Sequence, residues 1–247
     1  MKENKFLNLF VNSKPVIGMI HLKGINDQDV YERMKKEVEI YITSGIDGII
    51  LEDYFGTYPQ LVKACEYVEN QQIKIPFGVN CLNFDVLGFE LAQKYHASFI
   101  QLDSVVGHVK PRDEPSEEAF LKEYRGNTTA AVLGGVRFKY QPVLSKNSVE
   151  EDLKIAMDRC DAIAVTQDKT GQETSISRIE QFKQAIGDFP LVVAAGVTLD
   201  NIEERMKIAD AFIVGSYFKE NRQDDGELSR QHVKEMMEKV NHLRGNK

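Results

Sequence analysis

Leu191-Val-Val-Ala-Ala-Gly-Val-Thr-Leu-Asp-Asn201 and, a short way on, Ala209-Asp-Ala-Phe-Ile-Val-Gly-Ser-Tyr-Phe-Lys219 decide the fold. Leu191–Ala195 and Ala211–Val214 are short apolar runs rich in β-branched residues, each followed by a glycine, which is how buried strands read. One helical segment, Leu199 to Ile208, separates them, so the two strands should be parallel neighbours. Gly196 and Gly215 allow backbone N–H groups to approach a ligand, and Asp200 or Asn201 is placed to cap the intervening helix. Many (β/α)8 barrels bind phosphate after their last two strands. Gly196, Thr198, Gly215 and Ser216 are therefore the expected phosphate cradle; the alternative is that both glycines are ordinary turn residues.

Working back from this stretch, the same strand–helix alternation runs through the chain. Strands are expected at Lys14–His21, Ile49–Leu51, Ile75–Asn80, Phe99–Leu102, Thr129–Phe138 and Ala162–Thr166. Helices are expected at Asp29–Ser44, Thr57–Asn70, Phe84–Tyr95, Ser148–Arg159 and Ser175–Ile186. Ser116 is read as the cap of a short helix, and Ser148-Val-Glu-Glu as a capping box. Ser229–Leu243, with Val233, Met236, Met237 and Val240 on one face, closes the chain. About eight β–α units without a break in composition predict one domain over residues 1–247, a single (β/α)8 TIM barrel. Phe6, Leu7, Leu9 and Phe10, within residues 1–14, are expected to form a short helix closing the bottom. Residues 103–115, carrying His108, Lys110 and Arg112, read as a lid loop. A doubly wound sheet is the rival, but no glycine-rich dinucleotide fingerprint follows the first strand.

The chain has 247 residues, 42% hydrophobic and 28% charged, with a formal net charge of −7. That balance, without a long basic run, argues against nucleic acid and anionic membranes as partners. Cys65, Cys81 and Cys160 have unrelated spacings, which suits a reducing cytoplasm and neither a disulfide frame nor a zinc site. The apolar run near Met1 is too short for a signal peptide, and no stretch is long enough to span a bilayer, so a cytoplasmic location is expected.

Side chains two apart on a strand share a face, and barrel chemistry sits at the C-terminal strand ends. This places Glu52, Asn80, Gln101 with Asp103, and Arg137 with Lys139 around the mouth, with Gly135 leaving room. Glu52 is either a general base or half of an ion pair with Lys139 or Arg137. Lys139 is either a Schiff-base nucleophile or a counter-charge for phosphate. His21 is either an acid/base group or an imidazole holding loop backbone. Asn80 binds substrate or orients its neighbours. Thr166-Gln-Asp-Lys-Thr170-Gly171 either wraps a sugar or phosphate or makes a polar turn. Glu52 and Asp103 fall short of the oxygen cage that identifies a divalent-metal site, so no cofactor is expected, Mg2+ being the one candidate. Tyr54, Phe55 and Tyr58 line the mouth or an interface of a homo-oligomer.

Ile17-Gly-Met-Ile-His21, Gly45-Ile-Asp-Gly-Ile-Ile-Leu-Glu52, Pro76-Phe-Gly-Val-Asn80, Thr170-Gly171, Gly196-Val-Thr198 and Val214-Gly-Ser-Tyr-Phe-Lys219 together resemble the BtpA/SgcQ family. The resemblance runs from about Ile17 to Gly226. It implies a ribulose-phosphate-binding type of (β/α)8 barrel, in a family named for a factor needed for photosystem I accumulation. Other members sit beside sugar-uptake genes. Glu52, Asn80, Asp85, Lys139, Thr166, Gly171, Gly196, Thr198, Gly215 and Lys219 occupy matching motif positions. Strand five departs: the family's Asp-Val-His-x-Lys-His is here Gly135-Val-Arg137-Phe-Lys139-Tyr140. Gln101 and Asp103 stand where the family tends to carry Arg and Asn, and Lys23-Gly-Ile-Asn replaces a Pro-rich loop. The expectation is an enzyme acting on a small phosphorylated sugar or nucleoside-like compound by isomerisation, lyase chemistry or glycosidic cleavage. The alternative is a non-catalytic assembly factor of the BtpA type.

Overall fold

The computed structural model describes residues 4–106 and 113–245. Eight parallel strands close into a barrel in sequence order, each paired with the next and the eighth with the first. They are β1 (Val16–His21), β2 (Gly48–Glu52), β3 (Phe77–Asn80), β4 (Phe99–Leu102), β5 (Ala131–Gly135), β6 (Ala162–Val165), β7 (Leu191–Val193) and β8 (Ala211–Val214). The helices between and after them are α1 (Asp27–Thr43), α2 (Tyr58–Asn70), α3 (Asp85–Lys94), α4 (Glu114–Gly126), α5 (Val149–Arg159), α6 (Ile176–Ile186), α7 (Ile202–Met206) and α8 (Arg230–Leu243). This is a TIM barrel. No helix among the described residues is long and apolar enough to cross a membrane.

The period-two alternation of the strands sorts apolar side chains into two cores. Ile17 and Met19, Ile50, Leu133, Val192 and Ile213 point inward, while Ile20, Leu51, Val79, Val132, Ile163, Val193 and Val214 meet the helices. Inside the barrel, small residues (Ala131, Ala162, Ala164 and Ala211) leave volume that three aromatic rings take up. Phe6 and Phe10, flanking a single 3-10 turn at Leu7–Leu9, lie 5.5 and 6.3 Å from the Phe99 ring. The N-terminal segment therefore plugs the bottom as expected, in one turn of 3-10 helix.

Phe99 fits only because β3 carries Gly78 beside it. A Cβ at Gly78 would lie 2.2 Å from the Phe99 ring, which is itself fully buried against Phe6. Gly78→Ala is expected to cost about 1–3 kcal/mol by overpacking. Denaturant unfolding checks this, and Phe99→Leu in the same chain should recover part of the loss.

Several boundaries differ from expectation. The helix before β5 begins at Glu114, and Asp113 is its N-cap, accepting from Ser116 N at 3.0 Å. Ser116 is thus the third residue of the helix rather than its cap, because Pro115 suits a first turn that needs no N–H. The capping box at Ser148 and Glu151 is present. α7 is shorter than expected: Asn201 holds its N-cap position, yet its side chain turns back, Oδ1 accepting from Thr198 N and Nδ2 donating to Gly196 O, both at 2.9 Å. Val233, Met236, Met237 and Val240 form the buried face of α8, as their spacing predicts. Of the candidate lid, residues 107–112, including His108, Lys110 and Arg112, lie outside the described residues, while Ser104, Val105 and Val106 are buried.

Candidate active site

At the C-terminal ends of the first four strands, five side chains join in series. His21 Nε2 lies 3.1 Å from Glu52 Oε2. Asn80 Nδ2 donates to Glu52 Oε1 at 2.8 Å and to Asp103 Oδ1 at 3.2 Å. Gln101 Nε2 donates to Asp103 Oδ1 at 3.3 Å. The register explains the sequence of contacts: His21 pairs with Glu52, and Glu52 with Asn80, across adjacent strands. His21, Glu52, Asn80 and Gln101 each stand two positions after an inward-pointing apolar or glycine residue (Met19, Ile50, Gly78 and Phe99), and Asp103 two after Gln101, so the alternation that fills the core delivers the polar groups to the mouth. Gly135 makes room on the next strand, since a Cβ there would lie 2.3 Å from the Asp103 carbonyl oxygen.

The two carboxylates are driven apart in proton affinity. Burial would raise Glu52, but the His21 hydrogen bond and charge, with Lys139 and Asn80, hold it below its ordinary value. Asp103 is pushed up to about 6, first by burial and then by the neighbouring Glu52 charge, which its bonds to Gln101 and Asn80 and the Lys139 charge only partly offset. A pair of acids separated in this way supplies one permanent charge and one group able to exchange a proton near neutrality.

Glu52 forms no ion pair with Lys139 or Arg137; its partner is His21. Arg137 does not reach the mouth. β5 ends at Gly135, and the chain turns through positive φ at Arg137 and Tyr140, which breaks the alternation on which the expectation rested. Arg137 instead reaches buried Asp152 at 3.0 Å and the carbonyl of Asn147, outside the barrel. Lys139 remains at the mouth, its backbone N–H donating to Thr166 Oγ1 at 2.8 Å, and it forms no ion pair among the described residues. Thr166 is fully buried and fixes Lys139. Lys219 turns into the helix layer, where it pairs with Glu37.

The other half of the mouth is lined by backbone. A cavity of about 310 Å³ is bounded by Gly196 and Thr198 after β7, Gly215 and Ser216 after β8, Thr170 and Gly171 after β6, and by His21 and Lys139. Gly196 has φ +66°, and a Cβ there would lie 2.2 Å from Glu173 Cα, so this turn admits glycine alone without movement. Thr198 N is taken by Asn201, and Thr198, Gly215 and Ser216 line the cavity. Arg222, unremarked in the sequence because it is one arginine in a polar loop, also lines the cavity, its guanidinium 4.0 Å over the Tyr217 ring. Tyr54 stacks on His21 at 4.9 Å and stands at the mouth, and Phe55 meets the same ring edge-on at 6.0 Å.

The chain is 30% identical to the uncharacterized protein PH1209 of Pyrococcus horikoshii, over 94% of this chain and 98% of that one. It is 26% identical to the photosystem I biogenesis protein BtpA of Synechocystis, over 85% and 82% of the two chains. In fold it is similar to an archaeal fructose 1,6-bisphosphate aldolase, with a TM-score of 0.63 over 98% of each chain at 14% identity. The family model described as the BtpA family matches residues 12–242. The chain belongs to the BtpA family.

Proposed function

We propose that this protein is an enzyme acting on a small phosphorylated sugar or nucleoside-like metabolite at the C-terminal mouth of the barrel. The observation that carries the reading is the division of the mouth into two unlike halves. One half is a hydrogen-bonded chain of polar side chains, three of them ionisable, with an acid poised near neutrality; the other is a cavity edged by Gly196, Gly215, Thr198, Ser216 and Arg222. The second half has the chemistry of a phosphate seat: N–H and O–H donors with a cation at the rim. The first has the chemistry of proton transfer, with Asp103 moving the proton and Glu52, kept ionised, holding His21. Lys139 stands between them, where it neutralises phosphate or negative charge developing on the substrate. Isomerisation, lyase chemistry and glycosidic cleavage all draw on these roles.

Thermal shift against phosphosugars, nucleotides and inorganic phosphate, with and without Mg2+, tests the reading. A compound at a hundred times its Kd stabilises by about 2.7 kcal/mol, which raises Tm by roughly 5–10 °C in a chain of this size. Gly215→Asp, which adds a carboxylate beside His21, should abolish that response. Absence of any response to phosphate compounds would move the assignment to the second reading. That reading is a non-catalytic assembly factor, supported by the name of the Synechocystis relative and by the exposed Phe55, Phe84, Val143 and Leu144.

A further inference from the structure

The inner cavity is not the whole of the mouth. A second cavity of about 570 Å³ opens above Glu52 and Asp103, and Lys139 lines both. Their boundary is a strap of three residues. Thr170 N donates to Tyr140 Oη at 3.0 Å, and Tyr54 Oη lies 3.4 Å from Thr170 Oγ1. Lys139 is common to the two, so a ligand that filled both cavities would pass beside it.

The outer walls specify the outer part of such a ligand. Tyr140, Leu82 and Leu144 offer apolar faces, and Asn83 and Gln141 offer side-chain amides between them. Apolar faces bind a flat ring by area and stacking, and amides read hydrogen-bonding atoms along its edge. A bare sugar can pair with the amides through its hydroxyls but presents less flat apolar area to Tyr140, Leu82 and Leu144 than a heterocycle does. The exposure of the rim agrees: Tyr140 is 61% and Leu144 53% exposed, high values for large apolar side chains on one short loop.

We propose that the substrate is a ribosyl-type phosphate bearing a flat heterocycle, of the class of a nucleoside 5′-monophosphate, with the heterocycle held in this outer cavity. The proposal rests on the phosphate reading of the inner cavity. It places the bond between sugar and ring beside Lys139, within reach of Asp103.

Calorimetric titration of the whole chain at fixed salt tests it, with ribose 5-phosphate, the four common ribonucleoside 5′-monophosphates, nicotinamide mononucleotide and adenosine as probes. At least one mononucleotide should bind at least tenfold more tightly than ribose 5-phosphate. Leu144→Glu, a change at an exposed position, should bring that mononucleotide down to the affinity of ribose 5-phosphate. Binding of ribose 5-phosphate with no gain for any of the five mononucleotides overturns the proposal and leaves the phosphate reading standing. A gain that survives Leu144→Glu also overturns it, because the ring then lies elsewhere. Binding of adenosine but of no phosphorylated probe overturns the phosphate reading, and with it the ribosyl-phosphate class proposed here.

Discussion

Asp103→Asn should make the protein more stable at pH 8 while removing the turnover proposed above. In the folded chain the Asp103 carboxyl titrates at about 6, against 3.8 for an unperturbed aspartate. The native state therefore holds this proton more tightly than the unfolded chain does. Above pH 6 the group is ionised in both states and the native state carries the burden of a buried charge beside Glu52. Between pH 6 and 4 that burden fades as the native carboxyl takes up its proton, and below pH 4 both states are protonated and the difference is gone. Two units correspond to about 3 kcal/mol as an upper figure. Asparagine keeps an oxygen to accept from Asn80 and Gln101 and removes the charge. Denaturant unfolding of both proteins from pH 3.5 to 8 should show a gain of about 2–3 kcal/mol at pH 8 that vanishes towards pH 3.5. Loss of a proton-transfer group lowers turnover by about 10²–10⁴-fold. A residue whose removal stabilises the fold and stops the reaction is one retained for chemistry.

The second large effect lies at the opposite end of the barrel. Asp47 accepts from Val16 N at 2.8 Å, from Asn12 Nδ2 at 2.8 Å and from Arg244 Nη2 at 2.6 Å. Arg244, just past α8, also donates to the carbonyl of Lys14 at 2.7 Å. One carboxylate thus ties the end of the last helix to the entrances of β1 and β2, where the barrel closes. Both side chains are buried, at 1% and 2% exposure. Asp47→Ala leaves the guanidinium buried without its counter-charge and should cost about 3–5 kcal/mol, lowering Tm by roughly 10 °C. Adding Arg244→Met removes the stranded charge and should restore part of the loss. A loss under about 1 kcal/mol would show that the pair is not what seals the barrel.

What was legible in the sequence follows from which interactions are local. Strand and helix periods are local, so the eight units and the inward positions of His21, Glu52, Asn80 and Asp103 could be read from spacing. Arg137 was misplaced because the same rule was carried past Gly135 into a turn, and nothing in Val136-Arg137-Phe138 announces positive φ at the arginine. The partner of Glu52 was misjudged for a different reason. Charge alone favours Lys139 or Arg137, whereas the strand register sets His21 beside it. Arg222 could not be found, because its place at the inner cavity depends on a loop folding back over Tyr217. Asn201, read as a helix cap, serves the turn before the helix instead, a choice between two short-range hydrogen bonds of similar worth.

The proton affinity of Asp103 and its response to a phosphorylated ligand can both be read in a single titration. Carbon-detected NMR of the aspartate side chains, assigned by Asp103→Asn and followed from pH 3 to 9 with and without ribose 5-phosphate, measures the proton affinity of Asp103 directly. A midpoint near 6 is expected without ligand and a higher one with it, since a dianion seated across the mouth disfavours a second negative charge. A midpoint near 4 that ribose 5-phosphate leaves unmoved would overturn both the proton-transfer role proposed for Asp103 and the phosphate site proposed for the inner cavity.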